Sequence, residues 1–221
     1  MLKTLMYVSI GSIAVILPIM LVVYWYGIKI WKIFPIIVYA AITGTISTYL
    51  WFVIENQRFA GISFFGAVFL IPVAFLCATK LFRESFEDLM DICAVGICMM
   101  LAVMKVQCLM SRCCGGRALF QKANGVIVRF PSQIAELANG LILCMILLIL
   151  AYKFKFRGKL YPIFLILYGI TRFILNFFRD VWGTGEIPYG TIWSILSVII
   201  GIVWLVRIKK DKQKLIKEDL Q

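Results

Sequence analysis

The sequence predicts an all-α, polytopic membrane protein with seven transmembrane helices. Of its 221 residues, 62% are hydrophobic and only 15% are charged, a composition outside the usual range for a soluble domain. The hydrophobic residues also form long runs, seven of which approach the roughly 20 residues that a helix needs to cross about 30 Å of hydrocarbon. We therefore predict a single integral membrane domain over residues 1–221.

The predicted helices follow one another with short connections. Lys3 precedes the first run and no small-residue cleavage site follows it, so we interpret this run as a retained helix and not as a signal peptide. The last run is the shortest. The seven runs cover residues of about 5–26, 32–54, 62–82, 89–110, 133–152, 160–178 and 190–206.

Basic residues in the connections predict the orientation. If the N-terminus lies outside, the inner side carries 14 Lys and Arg residues and the outer side carries seven, and positive charge accumulates on the cytoplasmic side of membrane proteins. The N-terminus is therefore expected outside and the C-terminus, with a basic tail over residues 207–221, in the cytoplasm. Because topology and anionic lipid explain the net charge of +12, nucleic-acid binding is not expected.

One long polar segment, the central extracytoplasmic loop 111–132, interrupts the hydrophobic sequence. Basic residues on the outer face need a separate reason, and two remain open: binding of an anionic lipid head group, or a solvated amphipathic stretch. The loop carries the basic residues Arg112, Arg117, Lys122 and Arg129.

The sequence contains no histidine and seven cysteines. A histidine base, a histidine metal ligand and a Ser-His-Asp triad are therefore excluded. Cys108, Cys113 and Cys114 cluster near the start of the loop, but neither a C-x-x-C motif nor a four-ligand zinc spacing occurs, so we predict no metal site. The other four cysteines lie inside apolar runs and are predicted to be small buried side chains.

Polar residues inside the apolar runs mark a possible site, since ionisable groups in transmembrane helices usually face the bundle interior or a water-filled cavity. Helix six carries a polar stripe at spacings of four, four and three, formed by Tyr168, Arg172, Asn176 and Arg179. Helix five offers a matching face formed by Gln133, Glu136 and Gly140.

These two faces predict a Glu136–Arg172 ion pair, because neither helix could bury its charge alone. The pair could simply hold the bundle together, or it could belong to a polar cavity open to lipid in the outer leaflet. At the inner end of helix four, Asp88 and Asp91 are expected to be solvated or paired with Lys80.

Two segments resemble motifs of the prolipoprotein diacylglyceryl transferases. Residues 129–140 read RFPSQIAELANG, which resembles the R-x-P-S-Q-L-Y-E-A motif of that family. Residues 160–180 read LYPIFLILYGITRFILNFFRD, which resembles Y-G-x-x-R-F-x-x-E-x-x-R of the last but one helix. The segments KVQCLMSRCCGGR and GISFFGAV resemble two further stretches of the family. The matching positions are Arg129, Pro131, Ser132, Gln133, Glu136, Tyr168, Gly169, Arg172, Phe173, Arg179, Cys108, Cys113, Cys114, Gly116 and Arg117.

The resemblance implies an enzyme of the bacterial plasma membrane that needs no cofactor. It implies transfer of a diacylglyceryl group from phosphatidylglycerol to the lipobox cysteine thiol in the signal peptide of a preprolipoprotein. The expected catalytic residues are Arg172, Glu136, Lys105 and Arg117. The residues expected to bind the phospholipid are Arg179, Arg129, Tyr168, Gln133 and Asn176.

Four positions depart from the family pattern. Phe65 stands where the family has a histidine, Lys105 replaces an arginine, Gln107 a glycine, and Asn176 a carboxylate. We therefore keep two main interpretations: a divergent transferase, and a paralogue that binds lipid or lipoprotein without catalysis. A small transporter or structural membrane protein ranks last, because the inner halves of helices five and six offer no polar path.

Overall fold

The computed structural model describes residues 2–57, 61–111, 115–121, 126–179 and 189–218. These residues form seven α-helices and one two-stranded sheet, which confirms the all-α membrane architecture. The elements are α1 (Leu2–Tyr26), α2 (Ile30–Asn56), α3 (Phe64–Phe82), α4 (Phe86–Met110), β1 (Ala118–Gln121), β2 (Ile127–Arg129), α5 (Ser132–Tyr152), α6 (Leu160–Asn176) and α7 (Tyr189–Glu218).

Five of these helices, α2 to α5 and α7, are long and apolar enough to cross a membrane, and shorter apolar helices cover Ile10–Tyr26 and Leu160–Asn176. In a bilayer, a helix is favoured because it satisfies its backbone hydrogen bonds internally. The prediction that the last helix is the shortest is wrong. With 30 residues, α7 is longer than any other helix of the described chain, because it continues past its apolar run through most of the basic tail.

The helix α4 lies at the centre of the bundle and packs against α1, α3, α5 and α6. Its approach to α5 depends on Gly140, where an added Cβ would lie 2.9 Å from the backbone nitrogen of Ala102 and the carbonyl oxygen of Cys98. The α6–α7 contact depends similarly on Gly169, where a Cβ would lie 2.6 Å from the carbonyl oxygen of Ser194. Glycines at these points let the two backbones approach closely.

Three of the four cysteines predicted to be buried are buried, namely Cys93, Cys98 and Cys144. Cys77 is exposed, which corrects the prediction for that position. It lies on α3, where an apolar side chain can face lipid instead of the protein interior.

An ion-pair and hydrogen-bond cluster closes one end of the bundle. Arg157 pairs with Asp88 through two contacts of 2.7 Å, and this hydrogen bond raises the pKa of Arg157. The buried Asp91 accepts hydrogen bonds from the Tyr26 hydroxyl at 2.7 Å and from the backbone N–H of Leu160 at 2.8 Å. The expectation that Asp88 and Asp91 are solvated or paired with Lys80 is therefore wrong. Asp91 instead satisfies a backbone donor at the start of α6.

The other end of the bundle carries the β1–β2 hairpin, and we call it the hairpin end. The strands are antiparallel, with an irregularity between Ala118 and Phe120. The root of the hairpin is tied to the end of α6, since the Arg117 N–H donates to the carbonyl of Phe178 at 3.0 Å and Gly116 forms a β-bridge with Arg179. The segment 111–132, predicted only as a loop, thus contains regular structure.

Candidate functional site

A cavity of about 360 Å³ opens at the hairpin end of the bundle. Side chains from α2, α4, α5, α6 and α7 and from the start of α3 line it. The ionisable and polar residues of this lining are Glu55, Asn56, Ser63, Lys105, Cys108, Glu136, Tyr168, Arg172, Asn176, Arg179, Tyr189 and Thr191.

Three cations surround the buried carboxylate of Glu136. Its Oε2 lies 2.7 Å from Arg172 Nη1 and 2.8 Å from Lys105 Nζ, while its Oε1 lies 3.6 Å from Arg179 Nη1. We call Glu136, Lys105, Arg172 and Arg179 the Glu136 cluster. The predicted Glu136–Arg172 pair is confirmed, and Lys105 belongs to the same network.

The packing of three helices brings the Glu136 cluster together. Glu136 lies one helical turn before Gly140, where α5 approaches α4 closely, and Lys105 lies about one turn beyond Ala102 on the facing side. Arg172 and Arg179 are separated by seven residues, so both lie on one face of the chain segment that continues α6. The β-bridge to Gly116 fixes the backbone of Arg179.

An aromatic wall completes the cavity beside the Glu136 cluster. The rings of Phe65 and Tyr168 lie 5.7 Å apart, and Phe65 also stacks on Phe69 at 5.9 Å. Phe65 is only 4% exposed. The position that resembles the family histidine is therefore filled by a buried ring that cannot exchange a proton.

Some predicted site residues do not line the cavity. Arg117 and Arg129 are exposed on the hairpin, with Arg129 Nη1 donating to the carbonyl of Gly116 at 3.3 Å. Gln133 lies in the first turn of α5 and is half-buried. Besides the Glu136 cluster, Tyr168 and Asn176 are the predicted site residues that do line the cavity. Arg112, Cys113, Cys114 and Lys122 lie outside the described residues.

Sequence reasoning missed Glu55, a second carboxylate in the lining. It lies in the last turn of α2, which ends at Asn56. No other charged residue lies within about five turns before it on α2 to form a charged stripe, so the sequence offers no pattern that distinguishes it from a carboxylate at a solvated helix end.

A family model described as prolipoprotein diacylglyceryl transferase matches residues 12–207. The chain belongs to this family. The resemblance of the motifs and the match of the family model thus agree, and the match extends from α1 into α7.

Three relatives named phosphatidylglycerol–prolipoprotein diacylglyceryl transferase share between 28% and 33% of the aligned residues. The protein of Campylobacter curvus is 33% identical over 174 residues, which are 71% of this chain and 63% of the relative. That of Campylobacter hominis is 28% identical over 173 residues, or 72% and 61%. That of Campylobacter lari is 30% identical over 199 residues, or 80% and 72%. The chain thus spans just over three fifths of the length of the first two relatives.

Membership of the family and the apolar helices make this chain a multi-pass protein of the bacterial plasma membrane. The chemistry available at its cavity follows from the side chains. Arginine and lysine side chains bind phosphate oxygens, and the described lining carries three such cations beside an apolar, aromatic wall. An amphipathic anion such as a phospholipid matches both parts.

Proposed function

We propose that this chain transfers a diacylglyceryl group from phosphatidylglycerol to the lipobox cysteine of a preprolipoprotein, as a divergent member of its family. The Glu136 cluster is the observation that carries the proposal. Its three cations converge on one buried carboxylate, and guanidinium and ammonium groups also bind the oxygens of a phosphodiester. The names of the relatives support this substrate.

In the proposed reaction, the cysteine sulfur attacks the glycerol carbon that bears the phosphate. An S–C bond forms, the C–O bond breaks, and its electron pair remains on the phosphate oxygen of the departing glycerol phosphate. Arg172 and Lys105 bind the phosphate oxygens and stabilise the charge that develops as the bond breaks. Glu136 holds both cations in place, and Arg179 completes the phosphate site.

The remaining residues of the proposed site have supporting roles. Tyr168 and Asn176 line the cavity beside Arg172 and contact the glycerol backbone of the lipid. Arg117 and Arg129, exposed on the hairpin, attract anionic head groups towards the cavity. Gln133 lies at the start of α5, one turn before Glu136, and binds the head group at the cavity entrance.

The proposal is tested by transfer of labelled diacylglycerol from phosphatidylglycerol to a lipobox peptide by the purified chain in lipid vesicles. Removing one donor that stabilises a developing oxyanion costs about 10²–10³ in kcat, so Arg172→Ala should lose at least that much activity. Lys153→Ala, which changes an exposed cation after α5, is the matched control and should retain activity. An inactive unsubstituted chain would refute the proposed transferase.

The buried ring of Phe65 favours a second candidate, a non-catalytic paralogue that binds lipid or lipoprotein. Loss of a general base typically costs about 10²–10⁴ in rate, and a phenyl ring has no acid–base capacity. The same assay separates the two candidates when Phe65→His is included. Phospholipid binding without transfer, in the unsubstituted chain and in Phe65→His, would support the paralogue.

A further inference from the structure

Thiol attack on a phospholipid needs a proton acceptor, because the thiolate and not the thiol is the nucleophile. The described lining of the cavity offers few candidates. Lysine and arginine cations are proton donors only. Tyr168 is a buried phenol, and a neutral phenol still holds its own proton and therefore does not act as the base. The two carboxylates of the lining are Glu136 and Glu55.

Glu136 is poorly available for this task. Both of its oxygens already accept from cations, at 2.7 and 2.8 Å for Oε2 and 3.6 Å for Oε1. Protonation would also break the ion pairs that hold Arg172 and Lys105 at the proposed phosphate site. Glu136 therefore suits the task of orienting Arg172 and Lys105, and proton exchange requires a different carboxylate.

Glu55 differs from Glu136 in its surroundings. In the part of the chain that the structure describes, no lysine or arginine forms an ion pair with it. Its carboxylate instead faces the polar groups of Ser63, Trp193 and Trp51. The two indole N–H groups are buried and make no hydrogen bond elsewhere among the described residues, so they can stabilise the carboxylate as its charge changes.

The position of Glu55 is held by aromatic packing between α2 and α7. The rings of Trp51, one turn before Glu55, and Trp193 are 5.0 Å apart and nearly perpendicular, and Phe69 contacts Trp51 at 5.4 Å. This wall continues to Phe65, which also lines the cavity. Glu55 thus lies at one edge of the same cavity to which the Glu136 cluster contributes.

We propose that Glu55 is a catalytic residue that accepts the thiol proton of the attacking cysteine. This inference rests on the proposed transferase function. The proton moves from sulfur to a Glu55 oxygen, the sulfur forms the S–C bond, and the phosphate oxygen keeps the electron pair of the broken C–O bond. Glu55 then returns the proton to the departing glycerol phosphate or to water, which restores the carboxylate.

The test compares Glu55→Gln with Glu87→Gln, which removes an exposed carboxylate at the opposite end of α4. Transfer from phosphatidylglycerol vesicles is measured against pH. If Glu55 is the base, Glu55→Gln should lower kcat by about 10²–10⁴. It should leave KM for the lipid nearly unchanged and remove the acidic limb of the pH profile. Glu87→Gln should behave like the unsubstituted chain.

A second substrate separates a catalytic role from a structural one. In a lipobox peptide with selenocysteine in place of cysteine, the selenol ionises at lower pH and needs no base. The deficit of Glu55→Gln should therefore shrink at least tenfold with this peptide, and Phe65→His should partly restore transfer of the thiol peptide in the Glu55→Gln background.

Equal activity of Glu55→Gln and Glu87→Gln would overturn the role of Glu55 and leave the transferase function standing. A deficit of the same size with both peptides would also overturn it, since it would indicate a structural defect. If the unsubstituted chain transferred diacylglycerol to neither peptide, the transferase function and this inference would be overturned together.

Discussion

Removal of the Glu136 carboxylate is the sharpest test of the charge arrangement. Glu136→Gln keeps the shape of the side chain but leaves Lys105, Arg172 and Arg179 facing one another without their shared counter-ion. At 2.7 and 2.8 Å, each short contact represents about 6 kcal/mol of gross attraction at an effective dielectric constant of about 20, most of which desolvation offsets. Removal of one partner of a buried pair typically costs about 3–5 kcal/mol.

For a chain of this size each kcal/mol shifts Tm by about 2–4 °C. We therefore expect Glu136→Gln to lower Tm by roughly 10 °C in neutral detergent, measured by thermal unfolding with Glu87→Gln as the control. Added phosphatidylglycerol should raise the Tm of the variant more than that of the unsubstituted chain, because its phosphate replaces the missing charge. Neutral phosphatidylcholine should not.

Two results would refute this reasoning. The first is a Tm for Glu136→Gln within the range of Glu87→Gln, which would mean that the three cations need no counter-ion. The second is an equal effect of phosphatidylglycerol and phosphatidylcholine on the variant, which would mean that the Glu136 cluster does not bind phosphate.

The remaining predictions concern other parts of the bundle. Lys105→Arg should retain transfer, because a guanidinium still reaches Glu136 and offers two parallel N–H donors to phosphate. Lys105→Ala should raise KM for phosphatidylglycerol about tenfold. Equal KM values for Lys105→Ala and the unsubstituted chain would contradict a phosphate contact. Gly140→Val should lower the stability by about 1–3 kcal/mol and reduce transfer, since it separates α4 from α5; an unchanged Tm would contradict the close approach. Asp91→Asn should cost about 1–3 kcal/mol through mispaired buried donors yet leave kcat intact below Tm, and a selective loss of kcat would contradict a purely structural role.

Much of the fold could be predicted because each membrane helix corresponds to one continuous run of apolar residues in the sequence. The predicted boundaries agree with α2 to α6 to within a few residues, and the end of α7 was missed because charged residues continue a helix beyond the bilayer. The orientation of the N-terminus outside stays a prediction.

The site could be predicted where its residues repeat along one helix. The stripe containing Arg172 and the face containing Glu136 have helical spacing, which led to the confirmed ion pair. Glu55 has no such pattern, because Ser63 and Trp193, which face it, come from other parts of the chain. The same reason hid the partners of Asp91, which are Tyr26 on α1 and the first turn of α6. Long-range partners of single buried charges require the fold.

The charges of the described lining give the two carboxylates complementary roles. In the proposed reaction, the three cations of the described lining bind the lipid phosphodiester, and the two carboxylates lie in the same lining. A thiolate entering this cavity would add an unbalanced negative charge, and such a charge is costly away from water. If the thiol proton moves to Glu55, the net charge of the cavity does not change while the nucleophile forms, and the Glu136 cluster stays intact for the leaving phosphate. Under the proposed mechanism, a base inside the cavity, not in bulk solvent, is therefore what keeps the charge of the reacting site constant.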